Sequence, residues 1–253
     1  MRVVSLVPSW TETLIEAGVE VVGRTRFCIH PSDKVRSISV VGGTKQVEWG
    51  KVAELDADLL VLDREENPRS VAEQSPVPWI ATHVTSVWDV DTELHRLNEH
   101  FAQPEISATA DRWRRLGERF STGPRNPDWL ELPGVIEWVR KPSAEVDRFL
   151  YLIWRDPWMA VGYETFIGSM LGLLGFGERM APLSGRYPTI SLENFDPERT
   201  LLLFSSEPYP FHRRRHIIQT LPFSSAIVDG ESYSWFGLRA LRFLQECALQ
   251  YGV

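Results

Sequence analysis

Three side chains able to do chemistry alternate near the start of the chain: Arg26, Cys28 and His30. In an extended segment all three point the same way. One face then carries a cation, a soft sulfur and an imidazole, and thiolate and imidazole are ligands for soft or borderline metals. A metal site on Cys28 and His30 is one expectation; a buried Cys28, with His30 turning the chain before Pro31, is the other. A second constellation, Trp154-Arg155-Asp156-Pro157-Trp158, ends an apolar run. Two indoles flanking a guanidinium suit a flat, partly anionic ligand. Trp154 is expected to be the more buried of the pair. Glu207-Pro208-Tyr209-Pro210-Phe211 is too proline-rich for a strand and reads as a rigid rim. Tyr233-Ser234-Trp235-Phe236 is expected to open the last helix, where free N–H groups could hold an anion or Ser234 simply cap the helix. In Arg64-Glu65-Glu66-Asn67, adjacent Glu65 and Glu66 cannot both point outward from a regular strand. One can face a ligand while the other faces a partner, or the run is a solvated loop.

Signatures of catalysis are poor. The chain has no P-loop, no GxGxxG after its first strand, no HExxH and no GxSxG. His95 and His100 sit five apart on a helix, the wrong spacing to share a metal. No catalytic residue is assigned. The net charge of −7 argues against nucleic acid as the main partner; Arg213-Arg214-Arg215 reads as a solvated helix face. No window of roughly 18 apolar residues predicts a membrane span. Cys28 and Cys247 form no CxxC, which removes zinc-finger and thioredoxin readings. Ten tryptophans exceed what a core alone explains, and Trp is favoured where flat surfaces are gripped.

The elements that would position these residues alternate. Arg2 to Val7 reads as a strand, and Ser9-Trp10-Thr11-Glu12 as a capping box opening a helix that stops at Gly18. Strands are expected at 20–23, 59–62 and 76–81, with a tight loop at Gly42-Gly43-Thr44 and a short helix from Val47 to Leu55. Helical stretches follow from Ser86 to Phe101 and, after a break at Pro104, to Phe120. Residues 121–147 read as a long loop. The plan then repeats: strands at 149–154, 200–204 and 226–228, helices from Thr165 to Leu174 and Phe211 to Leu221, and a closing helix from Trp235 to Tyr251. Such alternation predicts α/β lobes, each with a parallel sheet flanked by helices. The expected division is 1–85, a helical connector and loop over 86–147, and 148–253. Asp58 to Leu62 followed by Glu66 can be laid on Arg199 to Leu203 followed by Glu207, so the lobes look like repeats with a ligand cleft between them. In open parallel sheets the ligand sits beyond the carboxyl ends of the strands.

In order along the chain, Val3-Val4-Ser5-Leu6-Val7-Pro8-Ser9-Trp10-Thr11-Glu12, Val22-Gly23, His30-Pro31, Val41-Gly42-Gly43-Thr44, Leu55 to Val61, Tyr151 to Gly162 and Ser205 to Phe211 resemble the helical-backbone metal receptors. These are the vitamin B12 and ferric-siderophore substrate-binding proteins of ABC importers. The resemblance implies two α/β lobes joined by a backbone helix, and a metal chelate, a corrinoid or ferric siderophore, as bound ligand with no cofactor required. On this reading Ser9, Trp10, Arg26, His30, Thr44, Glu65, Trp154, Arg155, Trp158, Tyr209 and Trp235 line the ligand, with Arg26 and Arg155 holding its anionic groups. It also implies an acidic residue on each lobe that meets a membrane permease, and Glu66 and Glu207 stand at those positions. Two departures are visible: the break at Pro104, and the lack of an export signal. As the sequence stands a cytoplasmic monomer is expected, or a periplasmic one if the true start lies upstream. The alternative is a cytosolic enzyme or metallochaperone of the same fold, using Cys28 and His30 on a small polar or metal-bearing substrate.

Overall fold

A computed structural model describes residues 1–122 and 126–252. The chain divides into two compact units, 1–117 with 235–245, and 118–234 with 246–253. Residues 86–117, expected in a separate connector, therefore belong to the first unit, and so does the start of the closing helix.

The first unit opens with β1 (Arg2–Ser5), α1 (Pro8–Glu16) and β2 (Glu20–Arg24). Then come β3 (Ser39–Val40), α2 (Trp49–Glu54), β4 (Leu59–Asp63), α3 (Arg69–Glu73) and β5 (Trp79–Thr82). The strands form one sheet in the order β3-β2-β1-β4-β5, and every pairing is parallel. β4 lies between two neighbours and is buried on both faces, which is why Leu59 to Leu62 reads as an unbroken apolar run. One core layer packs Val4, Leu6, Leu60 and Leu62 against Val52 and Val71 of α2 and α3. Burying a leucine side chain of this kind contributes about 2 kcal/mol. Two helices follow, α4 (Val90–Phe101) and α5 (Pro104–Phe120). The expected break between them is present: Ala102 adopts a left-handed φ of 51°, and Pro104 starts the next helix, where its missing N–H has no intrahelical bond to lose.

The capping-box expectation at Ser9 is corrected. α1 starts two residues earlier, with Pro8 in its first turn and Val7 at the cap. Ser9 is thereby inside the helix, and Glu12 is turned to other work described below.

In the second unit, β6 (Val135–Arg140) lies within 121–147, the segment expected to be loop, of which residues 123–125 fall outside the described residues. The strand was hidden because its apolar positions do not alternate cleanly; it forms by pairing antiparallel with the strand at 224–228. Next come β7 (Arg148–Trp154), β8 (Met159–Ala160), α6 (Phe166–Leu173), β9 (Thr200–Ser205), α7 (Arg215–Thr220), β10 (Ser224–Val228) and α8 (Gly230–Ser234). The sheet order is β6-β10-β9-β7-β8, parallel among β7, β9 and β10 and antiparallel at both edges. Thr165 caps α6 by accepting from Gly168 N at 3.0 Å. Leu150, Leu202, Phe204 and Ile227 pack with Phe211 and Ile218 to form the core beside this sheet.

The closing helix, α9 (Leu238–Tyr251), begins three residues later than expected. Gly237, at φ 91°, breaks the chain after Phe236, and Trp235 belongs to that break. Ser234 is not the cap either: its Oγ donates back to Gly230 O within α8. The first α9 N–H, from Leu238, donates instead to Thr13 Oγ1 of α1 at 3.0 Å. Among the described residues no helix is long and apolar enough to cross a membrane.

Candidate functional site

The carboxyl end of β4 carries a buried polar network. Asp63 is fully buried and accepts from Thr82 Oγ1 at 2.6 Å, Glu65 N at 2.8 Å and Val84 N at 3.2 Å. Burial raises its pKa, against the pull of those three donors. Asn67 closes the turn: its Oδ1 accepts from Asp63 N, and its Nδ2 donates to Thr44 O at 2.9 Å. Thr44 thus enters the site through its backbone.

Trp10 belongs to the same network and not to a ligand surface. It is fully buried, its Nε1 donates to Thr82 Oγ1 at 2.8 Å, and its ring packs on Phe236. Ser9 is buried as well, its carbonyl accepting from Thr13 Oγ1. The expectation that Ser9 and Trp10 line the ligand is therefore corrected. The early start of α1 turns both inward.

Arg26, Cys28 and His30 do not share a face, because residues 25–28 turn where an extended segment was expected. Arg26 is exposed, stacked over Phe27 at 5.4 Å, and borders a cavity of about 360 Å³ beside Gly42 and Val47. The loop under it demands glycine: Gly42 has φ 125°, and a Cβ there would strike the Gln46 carbonyl. Cys28 is fully buried between Thr11 and Thr25, whose hydroxyls lie 3.1 Å from its sulfur. Desolvation raises its pKa, so the thiolate a metal needs is disfavoured. The Cys28–His30 metal site is corrected accordingly, and among the described residues no three His, Cys, Asp or Glu side chains come together around a metal position.

His30 is brought instead to Trp235, the rings meeting edge to face at 5.5 Å. Arg239 stacks on the same indole at 5.5 Å and is held by a bidentate pair to Glu12 at 2.9 and 3.1 Å. Arg242 reaches the same carboxylate at 3.5 Å. Glu12 is only 3% exposed, so this is a buried pair, and breaking it would strand a charge. Arg239 was missed in the sequence. Its one signal was its place one helical turn after Trp235.

Glu65 and Glu66 do diverge. Glu65 lies 3.4 Å from His83 Nε2. Glu66 is half-buried, and desolvation first, then Asp63, raises its carboxyl to about 7, with Lys45 opposing. Near neutral pH it carries only part of its charge.

In the second unit the predicted residues gather more closely. β7 ends at Trp154, and a turn through Asp156 at φ 62° returns the chain into β8. The outer residue of that turn is Trp154, 41% exposed, and the inner one is Trp158, packed on Phe204 and stacked on Phe211 at 6.2 Å. This reverses the expected burial of the two indoles: β7 outruns the core at its end, whereas the turn that precedes β8 brings Trp158 back against Phe204 and Phe211. Tyr209 meets Trp154 edge to face at 5.4 Å and Phe211 at 4.6 Å. Arg155 lies over Trp158 at 5.7 Å. The result is a continuous aromatic surface with one guanidinium beside it. Phe211, read as the end of the rim, is its buried anchor. Glu207 is half-buried nearby in sequence, its backbone carbonyl accepting from Ser205 Oγ at 2.5 Å.

No protein-family model matches the chain, and no curated protein matches it in sequence. Solved structures do. The periplasmic vitamin B12 binding protein BtuF of Vibrio cholerae aligns over 98% of this chain and 95% of its own, at 15% identity and a TM-score of 0.67. A periplasmic haem binding protein from Pseudomonas aeruginosa aligns over 99% and 92%, at 18% identity and 0.71. S. aureus IsdE, solved with haem, aligns over 97% and 96%, at 12% identity and 0.70. The chain has the α/β fold of the vitamin B12 and haem substrate-binding proteins, the fold that its resemblance to the helical-backbone metal receptors implied.

Proposed function

We propose that this protein binds a metal chelate, a planar macrocycle of the cobalamin or haem kind or a ferric siderophore, and that the aromatic surface of the second unit grips it. The observation that carries this reading is the half-exposed Trp154 indole, set by Tyr209 and continuous with Trp158 and Arg155. A ring system laid on Trp154 gains stacking area, and Arg155 supplies a partner for a peripheral carboxylate or phosphate. His30 and Trp235 are the corresponding candidates in the first unit. Glu66 and Glu207 are proposed as the acids that meet a permease. The enzyme or metallochaperone alternative drew on Cys28 as a ligand, and the burial of that sulfur counts against it.

The test is calorimetric titration of the intact protein with cyanocobalamin, hemin and a ferric hydroxamate. At least one is expected to bind saturably at micromolar concentration or below. Trp154→Ala and Arg155→Gln should each weaken it about tenfold, an effect of about 1.4 kcal/mol. Absence of saturable binding by all three would overturn the reading.

A further inference from the structure

We infer that the first unit holds a second, separate binding site, for a small aromatic anion, in the cavity between α3 and the β4–β5 edge of its sheet. The cavity measures about 550 Å³, within the range of about 300–1,000 Å³ typical of small-ligand pockets. Its wall is apolar where the sheet and helix supply it, through Leu62, Ala72, Ala81 and the indole of Trp79. Arg64 and Arg69 stand on its polar side.

Two of these residues are unspent. The Trp79 indole is 50% exposed and has no ring, hydrogen-bond or cation partner among the described residues. Tryptophan at the first position of an edge strand would ordinarily be covered or replaced, because its large apolar surface costs free energy when left in water. Arg64 has no side-chain partner among the described residues either. The other polar groups of the lining are committed. Arg69 pairs with Glu73 at 2.8 Å, Asn67 bonds to the Thr44 carbonyl and the Asp63 amide, and both Asp63 oxygens are occupied. The recognition left over is one aromatic face and one guanidinium at the mouth of an apolar pocket. That combination takes a flat ring through Trp79 and its carboxylate or sulfonate through Arg64.

This site shares no residue with the aromatic surface around Trp154, so it does not depend on the chelate reading. Anilinonaphthalene sulfonate, a fluorescent aromatic anion, is the probe, with uncharged anilinonaphthalene as its neutral counterpart. The anion is expected to bind at a single saturable site and about tenfold more tightly than the neutral compound. Trp79→Ala should weaken it about tenfold. Arg64→Gln should remove the preference for the anion while leaving the neutral probe unchanged. Both residues are exposed, so the variants should keep the parent's Tm, and Trp154→Ala should bind the probe like the parent. Equal affinity of parent, Trp79→Ala and Arg64→Gln for the anion would overturn the proposal, as would loss of probe binding in Trp154→Ala alone.

Discussion

β4 and β9 are both interior strands, β4 between β1 and the edge strand β5, β9 between β7 and β10, and each leads to a proposed docking glutamate. They end differently. β4 closes on Asp63, a buried carboxyl held by Thr82, Glu65 and Val84. β9 closes on Ser205, whose hydroxyl donates to Glu207 O and receives the Tyr151 hydroxyl at 3.3 Å, with the Gly230 backbone packed against it. Both ends must satisfy backbone groups where the chain leaves the sheet. One does so with a charge-bearing side chain, the other with a close backbone approach. A carboxyl in that place ties the first end to pH; a hydroxyl leaves the second, which leads on to Tyr209, indifferent to it.

The largest break in this comparison is Asp63→Ala. It leaves the Thr82 hydroxyl and the two amides without their acceptor in a buried place, at a cost of about 3 kcal/mol. Ser205→Ala should cost only about 1 kcal/mol, because the hydroxyl it removes makes neutral bonds. Urea unfolding of the two variants side by side measures the difference, and equal losses would contradict it.

Next in size is Gly230→Ala. A Cβ there would overlap Ser205 Oγ and come within 2.9 Å of Glu207 N. The expected loss is about 2 kcal/mol. Adding Ser205→Ala should recover part of it, since the two sites share one contact and their effects should not add. Strict additivity would show that the backbone approach does not define the second strand end.

Glu66→Gln sharpens the contrast in pH. Its folded pKa is raised from an ordinary 4.5 to about 7, so the stabilising contribution is fully present below about 4.5 and is lost as pH rises through about 7. The parent should therefore lose about 1–2 kcal/mol from this group between pH 5 and pH 8, discounted for its partial exposure. Glu66→Gln should flatten that part of the profile. A profile equally steep in parent and variant would remove Glu66 from the account.

Much of this was legible in the sequence, and what was not has physical causes. Leu59 to Leu62 and Leu201 to Phe204 announced strands because burial on both faces leaves no polar positions. Trp154, Arg155 and Trp158 stood out in the sequence because they lie close along the chain, whereas the contact of Trp154 with Tyr209 joins two separate strand ends. Trp10 was misread because a capping pattern says nothing about a proline that starts the helix two residues earlier. Arg26, Cys28 and His30 were misread because alternation implies one face only if the segment is extended, and Thr25 to Cys28 turns. The pairing of Arg239 with Glu12 spans most of the chain, and no local pattern encodes so distant a partner.

The smallest effect tests the neutral end most directly. Tyr151 is fully buried, and burial pushes its hydroxyl pKa upward, so it stays protonated throughout the range in which Glu66 titrates. Its single bond to Ser205 is long, and Ser205 keeps Glu207 O as a partner without it. Tyr151→Phe should therefore cost no more than about 1 kcal/mol, and the same amount at pH 5 and pH 8. A loss as large as that of Asp63→Ala, or one that changed with pH, would mean that the second strand end is also held by charge, reached through Asp229, whose field acts on Tyr151.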